Sequence, residues 1–364
     1  MKNNTKKLNE VVLIRVFTIL VVVLGHSMIV YSSNWSTFEM QIGSSFFNNL
    51  KRYIDIFQMP LFIFISGYIY HFNRIEMSKY QNKNRFIKGK FIRLIIPYFS
   101  IAILYVIPIR FLIDYNGYQG KSFMELLVNN VFLGEDIGHL WFLPSIFTIF
   151  VIFYLFERFI FKFPIIVGIL FFVGISTLSG FLPAVFFIQK SFNYLLYFYV
   201  GFKIRALVQQ KEDIGNTSII IALFVLQFIG VWFSMAIAGQ NSAVLNGLVL
   251  IFNKLGSLSS ILFFYLLFNK MSIKKESFAD NKIIKYIDKE SFQIYLFHSP
   301  IVYIVLYFIQ DYIIDPFVVV AGTFLCCILG SILLSKLIEY LAVFNICIGK
   351  KQKIYKQKEL IVNE

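Results

Sequence analysis

VVLIRVFTILVVVLGHSMIVY, residues Val11 to Tyr31, carries only two basic side chains, Arg15 and His26, and no acidic one. About 20 consecutive apolar residues span the hydrocarbon core of a bilayer as one helix. The basic start MKNNTKK imitates a secretory signal, but the apolar run is too long for one and no A-x-A-like cleavage site follows. The stretch therefore reads as a retained first transmembrane helix.

Working outward at the same scale gives further spans at residues 53–71, 91–112, 140–160, 164–181, 193–209, 217–238, 246–268, 292–310 and 316–340. The weakest segment lies between Phe181 and Val200, where Lys190 and Asn193 interrupt the run. Composition agrees: 58% of the 364 residues are hydrophobic and 15% charged, against about 45–50% and 25% in soluble domains. Forty-four Phe and 21 Tyr could not be hidden in one water-soluble core of this size. The expected fold is an all-α polytopic membrane bundle of about ten helices, one domain over residues 1–345 followed by a basic cytoplasmic tail at 346–364. No paired Gly/Pro-interrupted halves suggest an inverted-repeat transporter.

The net charge of +14 does not imply nucleic acid, because the cations fall on one side of the spans. Arg74, Lys79, Lys83, Arg85, Lys88 and Lys90 lie in the second connection, and Lys270, Lys274, Lys275, Lys282, Lys285 and Lys289 in the eighth. Lys203, Arg205, Lys211 and the tail lysines join them, while Asp114, Glu125, Glu135, Asp136, Asp311 and Asp315 occupy the other side. The positive-inside rule then puts both termini in the cytoplasm. Cys326, Cys327 and Cys347 offer no CxxC spacing, so neither a disulfide framework nor a metal site is expected.

Ionisable groups inside spans are costly and point to function. Arg15, His26, Arg93, Lys254, His298 and Lys336 are the candidates. Lys336, near a helix end, is expected to snorkel. Lys254 either partners a neighbouring helix or lines a cavity. Arg15 and His26 are eleven residues apart, three turns plus about 20°, so they share one face about 16 Å apart. Gly25 and Ser27 let a neighbour approach His26 closely. His139 and Trp141 either anchor the fourth helix at the interface or contact substrate; His298, before Ser299 and Pro300, either caps carbonyls freed by the proline or contacts substrate. His71 reads as interfacial.

The segment LIRVFTILVVVLGHS (Leu13 to Ser27) resembles the first-helix signature of the membrane acyltransferase family three, whose members move acyl groups onto cell-surface sugars. QMPLFIFISGYIY (Gln58 to Tyr70) resembles the second-helix motif of the branch that includes fucose 4-O-acetylases, and KFIRLIIPY (Lys90 to Tyr98) the basic pair opening the third helix. HLWFLPSIF (His139 to Phe147), YFYVGFKI (Tyr197 to Ile204) and SFQIYLFHSPIV (Ser291 to Val302) follow in order along nearly the full chain. Gln58 stands where that branch often has His before Met-Pro, and Lys90 with Arg93 stands where many members have two arginines, which keeps the charge and loses one bidentate fork. The resemblance implies that His26 occupies the catalytic histidine position and Arg15 that of its partner arginine.

O-acyl transfer from a thioester needs a base for the hydroxyl proton, and neutral imidazole suits that task near pH 7. Acyl-CoA brings several phosphate charges, which Lys90, Arg93 and Arg15 at the cytoplasmic side could bind. No G-x-S-x-G elbow, HExxH, Walker loop or dinucleotide turn offers another chemistry. The expected protein is thus a multi-pass O-acetyltransferase of a bacterial cytoplasmic membrane. Acetyl-CoA is its donor and no cofactor is held permanently. Its acceptor is a hydroxyl of an exopolysaccharide, capsule or lipid-linked oligosaccharide, with His139, Trp141 and His298 as substrate contacts. An exporter or flippase of a surface glycan is the alternative, and a membrane sensor or assembly factor a third reading.

Overall fold

The structure, a computed structural model, describes residues 8–33, 35–210, 216–237, 242–272 and 278–350. Among these residues there is no strand, and ten helical segments correspond to the ten expected spans. They are α1 (Asn9–Ser27), α2 (Ser45–His71), α3 (Lys83–Leu112), α4 (Phe142–Lys162), α5 (Ile165–Leu178), α6 (Ile188–Gln210), α7 (Thr217–Ile237), α8 (Ala243–Ser272), α9 (Lys282–Ile309) and α10 (Pro316–Tyr340). Eight segments are long and apolar enough to cross a membrane; α5 is shorter, and α6 carries Lys190, Lys203 and Arg205 within its length.

Local chemistry sets several boundaries. Ser44, Asn281 and Asp315 each accept a backbone N–H of the first turn of α2, α9 and α10, and Pro316 opens α10 where its missing N–H costs nothing. These caps start α2 and α9 well before their apolar runs, at Ser45 and Lys282 rather than near 53 and 292. The weak segment resolves into a break at residues 179–187, where Phe186 and Phe187 take positive φ, and α6 then starts at Ile188, with Lys190 and Asn193 inside it.

α3 is not a uniform α-helix. Two wide π-helical turns, Phe91–Ile95 and Ala102–Val106, interrupt it, each followed closely by a proline, Pro97 or Pro108. Proline cannot donate to the carbonyl four residues back and its ring crowds that carbonyl, so the ladder closes five residues back instead: Ile96 N–H bonds to Phe91 and Ile107 N–H to Ala102.

α1 is central, with 61% of its most apolar window buried, while α10, at 28%, shows most of its surface to lipid. α2 and α6 lie backbone to backbone: a Cβ on Gly67 would overlap the Phe198 carbonyl, and one on Gly201 the Phe64 carbonyl.

One end of the bundle gathers Glu10, Glu76, Glu157, Arg74, Arg205, Glu290, Lys336, Glu339 and Lys350 into ion pairs, among them Arg205 with Glu76 at 2.5 Å and Arg74 with Glu157 at 2.6 Å. Lys336 does not simply snorkel; Glu290 and Glu339 hold it at 3.2 and 3.1 Å. His71, the last residue of α2, lies at this same ion-paired end, buried against Phe202 and 3.8 Å from Glu76. Lys2, Lys6, Lys7, Lys211, Lys274, Lys275 and residues 351–364 of the expected tail lie outside the described residues.

Candidate functional site

Three of the four histidines converge. The His26 and His298 rings meet edge-on with centroids 4.8 Å apart, His139 lies 5.0 Å from His298, and His26 is 6.5 Å from His139. Each ring is fixed by a backbone carbonyl, which can only accept, so the facing nitrogen must carry the proton. His26 donates from Nδ1 to Val22 at 2.9 Å, His298 from Nδ1 to Ile294 and Tyr295 at 3.0 and 2.8 Å, and His139 from Nε2 to Leu296 at 3.1 Å. Each imidazole therefore keeps one bare nitrogen: Nε2 in His26 and His298, Nδ1 in His139. His298 Nε2 is buried without a partner. His298 is fully buried and His139 only 5% exposed, while His26 retains partial access.

Proline builds part of this arrangement. Pro300 lies within α9 and cannot donate to Leu296, four residues back. His139, arriving from the short helical turn Gly138–Trp141, takes the vacant carbonyl. In α2, Pro60 frees Ile56 in the same way, and the Ser257 hydroxyl of α8 donates to it.

Beneath the histidines, towards the ion-paired end, lies a cavity of about 430 Å³. Arg15, Lys90, Arg93, Tyr80 and Asp288 contribute to its polar lining, and Phe62, Ile65, Phe142, Phe150 and Tyr295 to its apolar wall. The volume suits a small-molecule site. Arg15 pairs with Asp288 at 3.1 Å, but Lys90 and Arg93 have no carboxylate within ion-pair distance among the described residues. Lys90 Nζ sits 3.4 Å from the centre of the Phe150 ring, and Arg93 lies over Phe292. Burial raises the Tyr80 phenol above its ordinary value, with the Arg93 charge opposing.

His26 does not line this cavity. Tyr295 and Phe142, their ring centroids 5.5 Å apart, stand between, and the Tyr295 hydroxyl donates to the His139 carbonyl. Arg15 and His26 nevertheless share one face as the sequence spacing requires, and both meet α9: Arg15 through Asp288, His26 through His298.

Trp141 stays outside the histidine group. Its ring packs against Tyr194 at 5.2 Å, with Lys190 Nζ 4.9 Å from its centre. At the far end from the ion pairs, Arg110 is 1% exposed, donates to Asp136 Oδ1 at 3.1 Å and to the Tyr303 hydroxyl at 3.0 Å, and lies over the Tyr115 ring at 4.4 Å. Gly138, at φ 60°, leaves the room this guanidinium occupies: a Cβ there would sit 2.6 Å from Arg110 Nη2. Arg110 thereby fixes the loop that delivers His139. The sequence does not single out Arg110 or Asp288, because a charge at the end of an apolar run resembles any helix terminus; Tyr295 lies within the segment Ser291 to Val302 without any feature that marks it from its neighbours.

Among known proteins, a family model described as an acyltransferase domain matches residues 8–336, nearly the whole chain; the match distinguishes no branch within the family. No curated protein matches. No solved structure matches.

Proposed function

The chain belongs to the membrane acyltransferase family three, and from that premise we propose that it is an O-acetyltransferase that moves acetyl from cytoplasmic acetyl-CoA to a sugar hydroxyl of a surface polysaccharide or its lipid-linked precursor. The observation that carries this reading is the edge-on convergence of the three imidazoles above a cavity lined by Arg15, Lys90 and Arg93.

In this reading the ion-paired, lysine-rich end faces the cytoplasm of a bacterial cell, and both termini lie there. The cations take the phosphates of CoA, and Lys90 and Arg93 suit that role because neither is neutralised by a carboxylate. The pantetheine arm fills the cavity, and the thioester passes the Tyr295–Phe142 layer to reach His26. The acceptor comes from the opposite side to reach His26, which keeps partial exposure. His26 Nε2 takes the hydroxyl proton as the sugar oxygen attacks the thioester carbonyl. The tetrahedral intermediate then expels CoA thiolate with cleavage of the C–S bond, and the thiolate receives the proton held on His26. Substrate and base need no covalent enzyme intermediate.

The test is binding and CoA release by purified, detergent-solubilised protein, with His26→Ala and Arg93→Ala beside the wild type. The expected pattern is binding and release in the wild type, loss of release in His26→Ala with binding kept, and weaker binding in Arg93→Ala. A well-folded wild type that binds no acetyl-CoA would overturn the proposal and leave glycan export as the reading to pursue.

A further inference from the structure

A second polar group lies on the outer side of His26, and the donor cavity does not account for it. Lys254, 11 residues into α8 from its outer end at Ala243, reaches Asn193 of α6, with Nζ 2.5 Å from Oδ1. Its ammonium lies 5.2 Å from the centre of the Tyr197 ring. Tyr197 packs on Tyr194, Tyr194 on Trp141, and Lys190 stands over Trp141. From α2, the charge of Asp55 reaches both Tyr194 and His26. Gln58, bonded to Asp55 at 2.7 Å, turns its other amide atom, an unpartnered oxygen, towards Gly25, beside His26. α1, α2, α6, α8 and the turn before α4 thus contribute to one polar and aromatic cluster next to the histidines.

Lys254 is conspicuous by charge. A cation within a membrane helix is ordinarily paired with an anion. Among the described residues Lys254 has no ion pair; its hydrogen-bond partners are the neutral side chain and carbonyl of Asn193. Asp55, the nearby carboxylate, is committed to Lys51 at 2.5 Å. Lys190 likewise has no ion pair among the described residues. The cluster therefore combines Lys254, a cation with no anionic partner among the described residues, and Lys190, within reach of the Asp136 charge, with a Trp–Tyr–Tyr platform of the type that packs on sugar rings.

We propose that Lys254 is the anion-binding group of an acceptor subsite, so that the glycan presented to His26 is negatively charged, through either an acidic sugar or the phosphate of a lipid carrier. This rests on the acyl-transfer reading above for its role, though not for its test. The anion would bond Lys254 and Asn193 while the aromatic platform holds the ring, presenting a hydroxyl to His26 Nε2.

The experiment uses the full chain in detergent, without acetyl-CoA, and measures apparent affinity from the shift in thermal unfolding. The probes are methyl glucuronide against methyl glucoside, and farnesyl phosphate against farnesol. One acidic probe is expected to bind at least about tenfold more tightly than its neutral counterpart, a factor worth about 1.4 kcal/mol; which pair responds identifies the source of the charge. Lys254→Met should abolish that preference and Lys254→Arg should keep it. Should Lys254→Met fail to fold, Asn193→Asp offers a second route: a carboxylate of nearly the same shape neutralises the lysine and should also abolish it. Equal binding of acidic and neutral probes, no response to any probe, or an undiminished preference in Lys254→Met or Asn193→Asp overturns the proposal. Absence of CoA release, by contrast, would sink the acyl-transfer reading and leave these shifts unchanged.

Discussion

His139 donates Nε2–H to the carbonyl of Leu296 at 3.1 Å, and that carbonyl is free because Pro300 has no N–H to offer it. The position of the imidazole therefore depends on a proline in another helix. Pro300→Ala restores the helical donor and makes it compete with His139. We expect a fold at least as stable, since an interior proline costs a helix about 3 kcal/mol, and a kcat reduced about tenfold. Parallel melting and CoA-release curves would show the split; a variant with normal kcat would deny the proline this role.

His298 presents a buried, unpartnered Nε2 beside His26. If it accepts or steadies the proton that His26 removes, His298→Ala should lower kcat by about 10²-fold while acetyl-CoA affinity stays at the wild-type value. Loss of affinity with kcat retained would instead make it part of the donor site.

The Arg15–Asp288 pair joins α1 to α9 at the cavity. Both side chains keep partial exposure, so breaking the pair with Arg15→Met should cost only about 1 kcal/mol of stability. Asp288→Leu added to Arg15→Met should return the melting temperature towards wild type, because no unpaired charge remains. Donor affinity should stay low in the double variant, and its recovery would show that Arg15 is purely structural.

Tyr295 separates the cavity from the histidines. Tyr295→Phe removes one hydrogen bond, to the His139 carbonyl, and should cost about 1 kcal/mol. Tyr295→Ala removes the barrier itself. We expect acceptor-independent hydrolysis of acetyl-CoA to rise several-fold in Tyr295→Ala and stay at background in Tyr295→Phe, measured as free CoA without glycan.

Arg110 uses its planar fork on Asp136 and Tyr303 and its face on Tyr115. Lysine cannot reproduce both. Arg110→Lys should lower stability by about 2–3 kcal/mol and reduce kcat by displacing the loop that carries His139, detected as a lower melting temperature together with slower CoA release.

The helices were readable because lipid demands long apolar runs, and the shared face of Arg15 and His26 because helical period alone dictates it. What those two residues face was not readable: Asp288 and His298 belong to a helix more than 250 residues further along the chain. His139 and Trp141, two residues apart, have different surroundings, since a short 3-10 turn sends one inward and the other to Tyr194. The anchor reading of His139 gives way to burial among the histidines, and the carbonyl freed by Pro300, that of Leu296, is served by His139, while the His298 imidazole itself bonds to the carbonyls of Ile294 and Tyr295. Lys254 proved to reach a neighbouring helix, as one of its two readings held. Such outcomes depend on long-range packing that no local pattern encodes.

Each wide turn of α3 holds one residue more than the ladder needs. That surplus can be handed to the next turn by exchanging hydrogen-bond partners, without unfolding. Moving it past one residue turns that residue by about 100° about the helix axis and leaves the segments on either side in register. In mechanical terms α3 is a screw with slack in two threads: Arg93 lies within the first and Lys90 just ahead of it, so a step of that slack re-aims a single side chain while the remainder of the bundle stands still.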